Sequence, residues 1–256
     1  MSPSLTYLIT GANRGIGQGF VSLLLQRPST TVIAGVRDPS NSSSKALADL
    51  PKGEGSKLIV VKIDSSVESD PASAIATLQK EHNITFLDVV IANAGISHSS
   101  ESVSNVDIKS TLDHFTVNSV APLILFNAAA PLLKASASKN PIFVAISSLM
   151  GSNGAADKVA QIPVPISPYG ASKAALNWFV RRLHFEEPWL TAFVFHPGLV
   201  ETDMAAQLAE TRGFDLKLFG AITVKQSVDG MAAAIDKANR ESSGTFKNYD
   251  GTDLPW

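Results

Sequence analysis

The chain contains no cysteine in its 256 residues, which excludes disulfides and thiolate nucleophiles and fits a reducing compartment. An excess of one charge sign is also missing. Twenty-one Lys and Arg stand against twenty-three Asp and Glu, a net charge of −2, so neither nucleic acid nor an anionic membrane is expected as a partner. The five histidines, His82, His98, His114, His184 and His196, are scattered without metal-ligand spacing, and no metal site is expected. The opening Met1-Ser-Pro-Ser-Leu5 lacks the basic-then-apolar pattern of a secretory signal. The most apolar stretch, 120–133, is interrupted by Pro122, Asn127 and Pro131 and reads as too short to cross a bilayer. Two glycosylation sequons, Asn41-Ser-Ser and Asn83-Ile-Thr, read as chance occurrences without secretion. The expectation is a soluble, cytoplasmic protein.

What is present is alternation. Val-, Ile- and Leu-rich runs at 5–10, 31–36, 58–63, 86–92, 142–147, 192–196 and 245–249 read as strands. They show little polar alternation, the mark of strands covered on both faces. Between them lie helix-length segments at about 16–26, 43–50, 70–82, 105–117, 119–136, 168–186 and 225–239. This order predicts right-handed βαβ units: an α/β fold with a doubly wound, seven-stranded, mainly parallel sheet of Rossmann type. No internal repeat and no shift in composition marks a boundary, so 1–256 reads as one domain.

Tyr169-Gly-Ala-Ser-Lys173 places an ionisable phenol and an amine four residues apart, after a Ser167-Pro168 helix opening. On a helix the two share a face. A free phenol titrates near ~10, and a neighbouring ammonium favours its phenolate, so the pair could exchange a proton with a carbonyl or alcohol oxygen. The same spacing also arises by chance on solvated helix faces. Thr10-Gly-Ala-Asn-Arg-Gly-Ile-Gly17 follows the first strand and opens a helix. Gly11, Gly15 and Gly17 permit a tight turn and close backbone approach, with the helix N-terminus facing a pyrophosphate. Its Gly-x-x-x-Gly-x-Gly spacing differs from the common dinucleotide fingerprint, and a glycine-rich turn without a ligand is the alternative.

Thr10–Gly17, Asn93-Ala-Gly95, Asn118, Ser147-Ser148, Tyr169/Lys173 and Pro197-Gly198 occur in this order across nearly the whole chain. Together they resemble the compact, single-domain type of short-chain dehydrogenase/reductase. Leu87-Asp-Val-Val, Trp189-Leu-Thr-Ala-Phe and Asp250-Gly-Thr-Asp-Leu-Pro-Trp256 narrow the resemblance to the carbonyl-reductase branch and its fungal ketoreductases.

The resemblance implies a working group of Asn118, Ser148, Tyr169 and Lys173. Ser148, chosen over Ser147 because it precedes Leu149-Met-Gly151, would hydrogen-bond the substrate oxygen. Tyr169 would protonate that oxygen, and Lys173 would lower the phenol pKa and hold the nicotinamide ribose. The implied dinucleotide site comprises Gly11, Asn13, Arg14, Gly15, Ile16, Gly17, Arg37, Asp64, Asn93, Ala94, Gly95, Tyr169, Lys173, Pro197, Gly198, Val200 and Thr202. Where an NAD site carries an acid, Val36 stands here, followed by Arg37, with Arg14 inside the glycine turn. Two guanidiniums suit the 2′-phosphate of NADP(H); the alternative is a surface Arg37 paired with Asp38. Asp64 matches the family's adenine-side acid, or simply caps a loop.

Tyr169 stands 21 positions after Ser148, a longer step than is usual in the family, and the extra loop 153–165 would shape the substrate mouth. A segment at about 199–222, with Met204, Leu208, Phe214, Leu216, Leu218 and Phe219, reads as a substrate lid or a small packed helix. With Ile96, Met150 and Trp256 it would favour a bulky, flat or apolar ketone. Pro122 offers no N–H to the carbonyl of residue 118 if the helix runs through Asn118. That carbonyl could hold a relay water for Lys173; otherwise Pro122 merely starts a helix. The expected activity is NADPH-dependent reduction of an apolar or aromatic carbonyl substrate, including polyketide intermediates. Alternatives are the reverse alcohol oxidation and a non-catalytic dinucleotide sensor. The family's habit implies a homodimer or homotetramer.

Overall fold

The computed structural model describes residues 5–98, 101–162, 164–213 and 215–256. Seven strands are β1 (Thr6–Thr10), β2 (Thr31–Val36), β3 (Lys57–Lys62), β4 (Val89–Ala92), β5 (Ile142–Ile146), β6 (Thr191–His196) and β7 (Phe246–Asn248). They pair in the order β3-β2-β1-β4-β5-β6-β7, every pair parallel. The order reverses between β1 and β4, and the crevice beyond the carboxyl ends of such strands is where ligands bind in this architecture.

The helices are α1 (Gly15–Leu25), α2 (Ser42–Lys45), α3 (Asp70–His82), α4 (Ile108–Phe115), α5 (Ala121–Lys134), α6 (Ala156–Val159), α7 (Ser167–Glu186), α8 (Asp203–Arg212) and α9 (Val224–Asp236). Successive strand residues feed opposite cores. Leu8, Val90, Phe143 and Val194 pack with α3, α5 and α7, whereas Ile9, Ile91, Val144 and Phe195 pack with α1 and α9. Both faces are covered, which is why the strands read as unbroken apolar runs. Burying each Phe of this sheet stabilises the fold by about 2–3 kcal/mol.

Several expected elements change. The fourth strand starts at Val89 rather than 86, where buried Asp88 ties its base to neighbouring segments. Its carboxylate accepts from Thr6 N–H (2.9 Å), Ser136 Oγ (2.6 Å) and Ser138 N–H (3.0 Å). The expected helix 43–50 is one turn of α-helix followed by a 3₁₀ turn at Ala46–Asp49. The expected 199–222 connection contains the ten-residue α8, capped by Thr202, and a 3₁₀ turn at Leu216–Phe219; Phe214 lies outside the described residues.

The largest change is a merger. Two helices, 105–117 and 119–136, were expected; α4, a π-helical turn (Thr116–Val120) and α5 instead form one rod. Ala121 N–H bonds to Thr116 O, five residues back, which inserts one residue into the helical ladder. Tertiary bonds hold this turn: Asn118 joins Ile96, and Ser119 Oγ donates to Ser172 O (2.6 Å). The merged rod Ile108–Lys134 is long and apolar enough to cross a membrane by length and composition, correcting the shorter reading of 120–133. Half of its most apolar window is buried inside the protein, as in the core helix of a sheet-based fold.

Candidate active site

The glycine turn joins β1 to α1. Gly11 (φ +61°) and Gly15 (φ +52°) occupy the left-handed region, where a side chain is strained. Gly17 is needed for space instead: a Cβ there would lie 2.2 Å from Gly11 O and 2.6 Å from Asn93 Nδ2. Asn93 Nδ2 donates to Thr10 O (2.9 Å) and Gly11 O (3.2 Å), and Thr10 Oγ1 accepts from Asn93 and Ala94 N–H (both 3.1 Å). The Asn93 amide therefore shapes the turn. Asn13 Nδ2 donates to Ser43 Oγ (2.7 Å), tying the turn to α2. Helix α1, which includes Ile16, starts without a side-chain cap and without an acid in its first turn. Its N-terminal amides are thereby open to an anion.

Arg14 and Arg37 are exposed. Neither makes a salt bridge among the described residues. Asp38, the alternative partner of Arg37, accepts instead from Ser40 N–H (2.8 Å) and Ser40 Oγ (2.7 Å), and these bonds lower its pKa. Asp64 Oδ1 accepts from Ser66 N–H (2.9 Å) and Ser66 Oγ (2.7 Å), so the carboxylate caps its loop on one oxygen. The residues present fit a dinucleotide: a glycine turn closed to side chains and bare helix amides, with two guanidiniums at the rim that make no salt bridge among the described residues.

The turn after β6 adjoins the same crevice. Gly198 has φ +86°, and a Cβ on it would meet Ile222 Cδ1 at 2.8 Å. Pro197 O accepts from Ser227 Oγ (2.6 Å), and buried Val200 bridges to Ile222. Thr202 Cγ2 lies 3.3 Å from where a Cβ of Gly15 would stand, so the two turns touch. A Cβ on Gly95 would lie 3.2 Å from Asn118 Oδ1 and 3.6 Å from Lys173 Nζ, which places the crevice next to the phenol–amine pair.

Tyr169, Lys173 and Asn177 line one face of α7 at successive turns. The Ser148 hydroxyl neighbours the Tyr169 hydroxyl and favours its ionised form. Lys173, 4 % exposed, donates to Ile146 O (2.7 Å), and its Nζ stands 5.7 Å from the centre of the Tyr169 ring. Burial pulls the lysine down to about 7. Burial also raises the phenol, an effect that the Ser148 hydroxyl only partly offsets. This corrects the expected direction, in which the ammonium lowered the phenol pKa. With no counter-ion beside them among the described residues, desolvation penalises the charged form of both groups. Ser148 Oγ also accepts from Met150 N–H (3.2 Å).

The Asn118 side chain does not face a reactant. Its Oδ1 accepts from Ile96 N–H (2.8 Å), and its Nδ2 donates to Ile96 O (2.9 Å) and Ser172 Oγ (3.0 Å). Any catalytic part is left to its backbone carbonyl, and Pro122 supplies no N–H to it. The expected wall residue Trp256 packs its ring on Phe246 (5.7 Å) and under Arg181 (5.1 Å). Pro255 O accepts from Ser152 Oγ (2.6 Å), fastening the start of the 153–165 loop.

Sequence reasoning missed His196 and Asn177. Burial pulls His196 to about 4, and its Nδ1 accepts from Leu149 N–H (3.2 Å), beside Ser148. Its position before Pro197-Gly198 was the available signal; for Asn177 it was the four-residue step beyond Lys173.

This fold and site define the chain as a member of the short chain dehydrogenase family, whose pattern it matches over residues 6–213. It is an oxidoreductase with a nicotinamide-dinucleotide crevice and a small-molecule substrate. Among its relatives, a norsolorinic acid ketoreductase of Dothistroma septosporum is 45 % identical over 257 residues, covering 100 % of this chain and 94 % of the relative. Another, from Emericella nidulans, is 40 % identical over 256 residues, covering 98 % and 93 %. Among solved structures, the NADPH-bound carbonyl reductase from chicken fatty liver superposes with a TM-score of 0.86 at 30 % identity, covering 99 % of each chain. The carbonyl reductase Sniffer of D. melanogaster gives 0.82 at 28 %, covering 99 % of this chain and 100 % of the other.

Proposed function

We propose that the protein is an NADPH-dependent ketoreductase acting on an aromatic, polyketide-type carbonyl substrate. The observation that carries this reading is the convergence of Ser148, Tyr169 and Lys173 beside the glycine turn, in a chain similar to norsolorinic acid ketoreductases along its whole length. The dinucleotide, held by the glycine turn, Asn93–Gly95 and Pro197–Thr202, supplies the hydride when bound. Ser148 Oγ orients the carbonyl oxygen, and Tyr169 donates a proton to it. The raised phenol pKa suits that direction, because it keeps the proton in place at neutral pH. Lys173 can re-supply the phenol because its own pKa lies near neutrality, and the Asn118 carbonyl offers a water site on that route.

NADP(H) is preferred over NAD(H) because Arg14 and Arg37 can make charge-assisted bonds to a 2′-phosphate. Segment 199–222 serves as the substrate lid. The chain assembles as a homodimer or homotetramer, a reading supported by the apolar Ile108, Leu112, Trp178 and Phe185 exposed on the outer faces of α4 and α7. The cytoplasm, with its NADPH pool, is the proposed compartment.

The test is NADPH oxidation, followed by absorbance, with a panel of quinones and polycyclic aryl ketones. Turnover of such ketones that is lost in Tyr169→Phe, with NADPH binding retained, is expected. Full activity in that variant, or NADPH binding without turnover of any carbonyl, would overturn the reading.

A further inference from the structure

Ser148 emerges from β5 on a short turn, and its neighbours on both sides are held by one side chain. Asn177, 4 % exposed on α7, accepts a hydrogen bond at Oδ1 from Ser147 Oγ (2.5 Å) and donates one from Nδ2 to Gly151 O (3.1 Å). The amide therefore closes a loop of five residues around Ser148. It stands one turn beyond Lys173 and two beyond Tyr169, on the face that presents both to the crevice.

The structure assigns Asn177 as the positioning residue of the active site: its carboxamide sets the Ser148 hydroxyl in register with the Tyr169 phenol. The inference rests on Ser148 and Tyr169 as the groups that meet the substrate oxygen.

The turn has few other anchors. Ser147 N–H donates to Phe195 O (2.7 Å), and Leu149 N–H donates to His196 Nδ1 (3.2 Å); both point back toward β6. Among the described residues, those of α7 couple the turn to the phenol. Gly151 packs so tightly on α7 that a Cβ there would come within 2.6 Å of Lys173 C and Ala174 N, so the Gly151 carbonyl cannot turn elsewhere without moving the helix contact. Removing the carboxamide would leave a buried hydroxyl and a buried carbonyl unpaired, and both would be relieved by shifting the turn. A displacement of about 1 Å at a reacting group can cost up to roughly 100-fold in rate.

The experiment is a double-mutant cycle on kcat, read as NADPH oxidation with phenanthrenequinone, a flat aromatic dicarbonyl. Asn177→Leu removes both bonds at nearly constant volume; Ser147→Ala removes one at little structural risk. Each is combined with Ser148→Ala, and NADPH affinity is measured by fluorescence. We expect Asn177→Leu to lower kcat by about 10-fold or more, with NADPH affinity within about 2-fold of wild type. We expect Ser148→Ala to cost much less in that background than in the wild type, because a displaced hydroxyl has little left to lose. A purely structural role would lower thermal stability while leaving the cost of Ser148→Ala unchanged, and that result overturns the proposal. So does an unchanged kcat in Asn177→Leu. If Asn177→Leu fails to fold, the Ser147→Ala cycle decides by the same criterion. Tyr169→Phe is the control: its full activity would overturn the site reading itself, a failure distinct from the loss of coupling.

Discussion

The α7 face and the 199–222 segment, the proposed lid, are built in opposite ways. Along α7, Lys173 and Asn177 are buried, and each has a fixed hydrogen-bond partner at the end of β5. In the segment, Met204, Leu218 and Phe219 are exposed, Leu218 to 84 %. Its neck is secured by Glu201 N–H to Ile222 O (2.9 Å) and Ile222 N–H to Leu199 O (2.8 Å). The difference teaches how labour is divided. Proton transfer needs groups held to fractions of an ångström, whereas the lid proposed for this segment would need only area and freedom to close.

The sharpest way to break this contrast is at its buried end. Lys173→Met should lower kcat by roughly 100-fold or more, the scale of a lost proton-transfer partner. The same variant should be more stable than wild type at pH 7. The folded pKa of Lys173, about 7, lies below its unfolded value of 10.5, so wild-type folding stability rises as pH climbs between the two. The melting-temperature advantage of Lys173→Met should therefore shrink from pH 7 to pH 10; a constant gap would contradict the buried, unpaired amine. At the nucleotide rim, Arg37→Glu should weaken NADPH binding by about 10- to 100-fold, the range of one or two charge-assisted bonds. NADH binding should change little, and equal losses for both would remove the 2′-phosphate from the argument. At the exposed end, Leu218→Ser with Phe219→Ser should raise the ketone KM several-fold, yet alter stability by no more than about 0.5 kcal/mol per site. A large drop in melting temperature would mean the segment is core after all. The smallest effect is expected from Pro122→Ala: turnover should slow by a few-fold, with NADPH affinity unchanged. Unchanged turnover in a folded variant would count against the Asn118 carbonyl as a water site.

Much of this was legible in one dimension. The seven strands, their parallel pairing and the Tyr169/Lys173 face follow from period and spacing, which are local properties. The glycine turn was legible too, although its three glycines serve different needs: φ at Gly11 and Gly15, space at Gly17. What escaped depends on distant partners. The π-helical turn exists because the Asn118 amide reaches the backbone of Ile96, twenty-two positions away, and no helix periodicity encodes that bond. The Asn177–Ser147 bond spans thirty positions. The direction of the Tyr169 shift was misread for a related reason. A sequence shows that an amine is near a phenol, but not that both are buried without a counter-ion, and burial decides the sign. Asp64 carried two readings, and only the geometry of Ser66 showed that the loop cap is realised.

The pH dependence of kcat/KM at limiting NADPH tests most directly whether the buried face of α7 runs the chemistry, because this parameter reports groups on the free enzyme. The account predicts a rate constant that falls as pH rises through about 7, where Lys173 loses its proton, and a profile without that limb in Lys173→Met. A wild-type profile flat between pH 6 and 8, or a limb that survives in Lys173→Met, would contradict it.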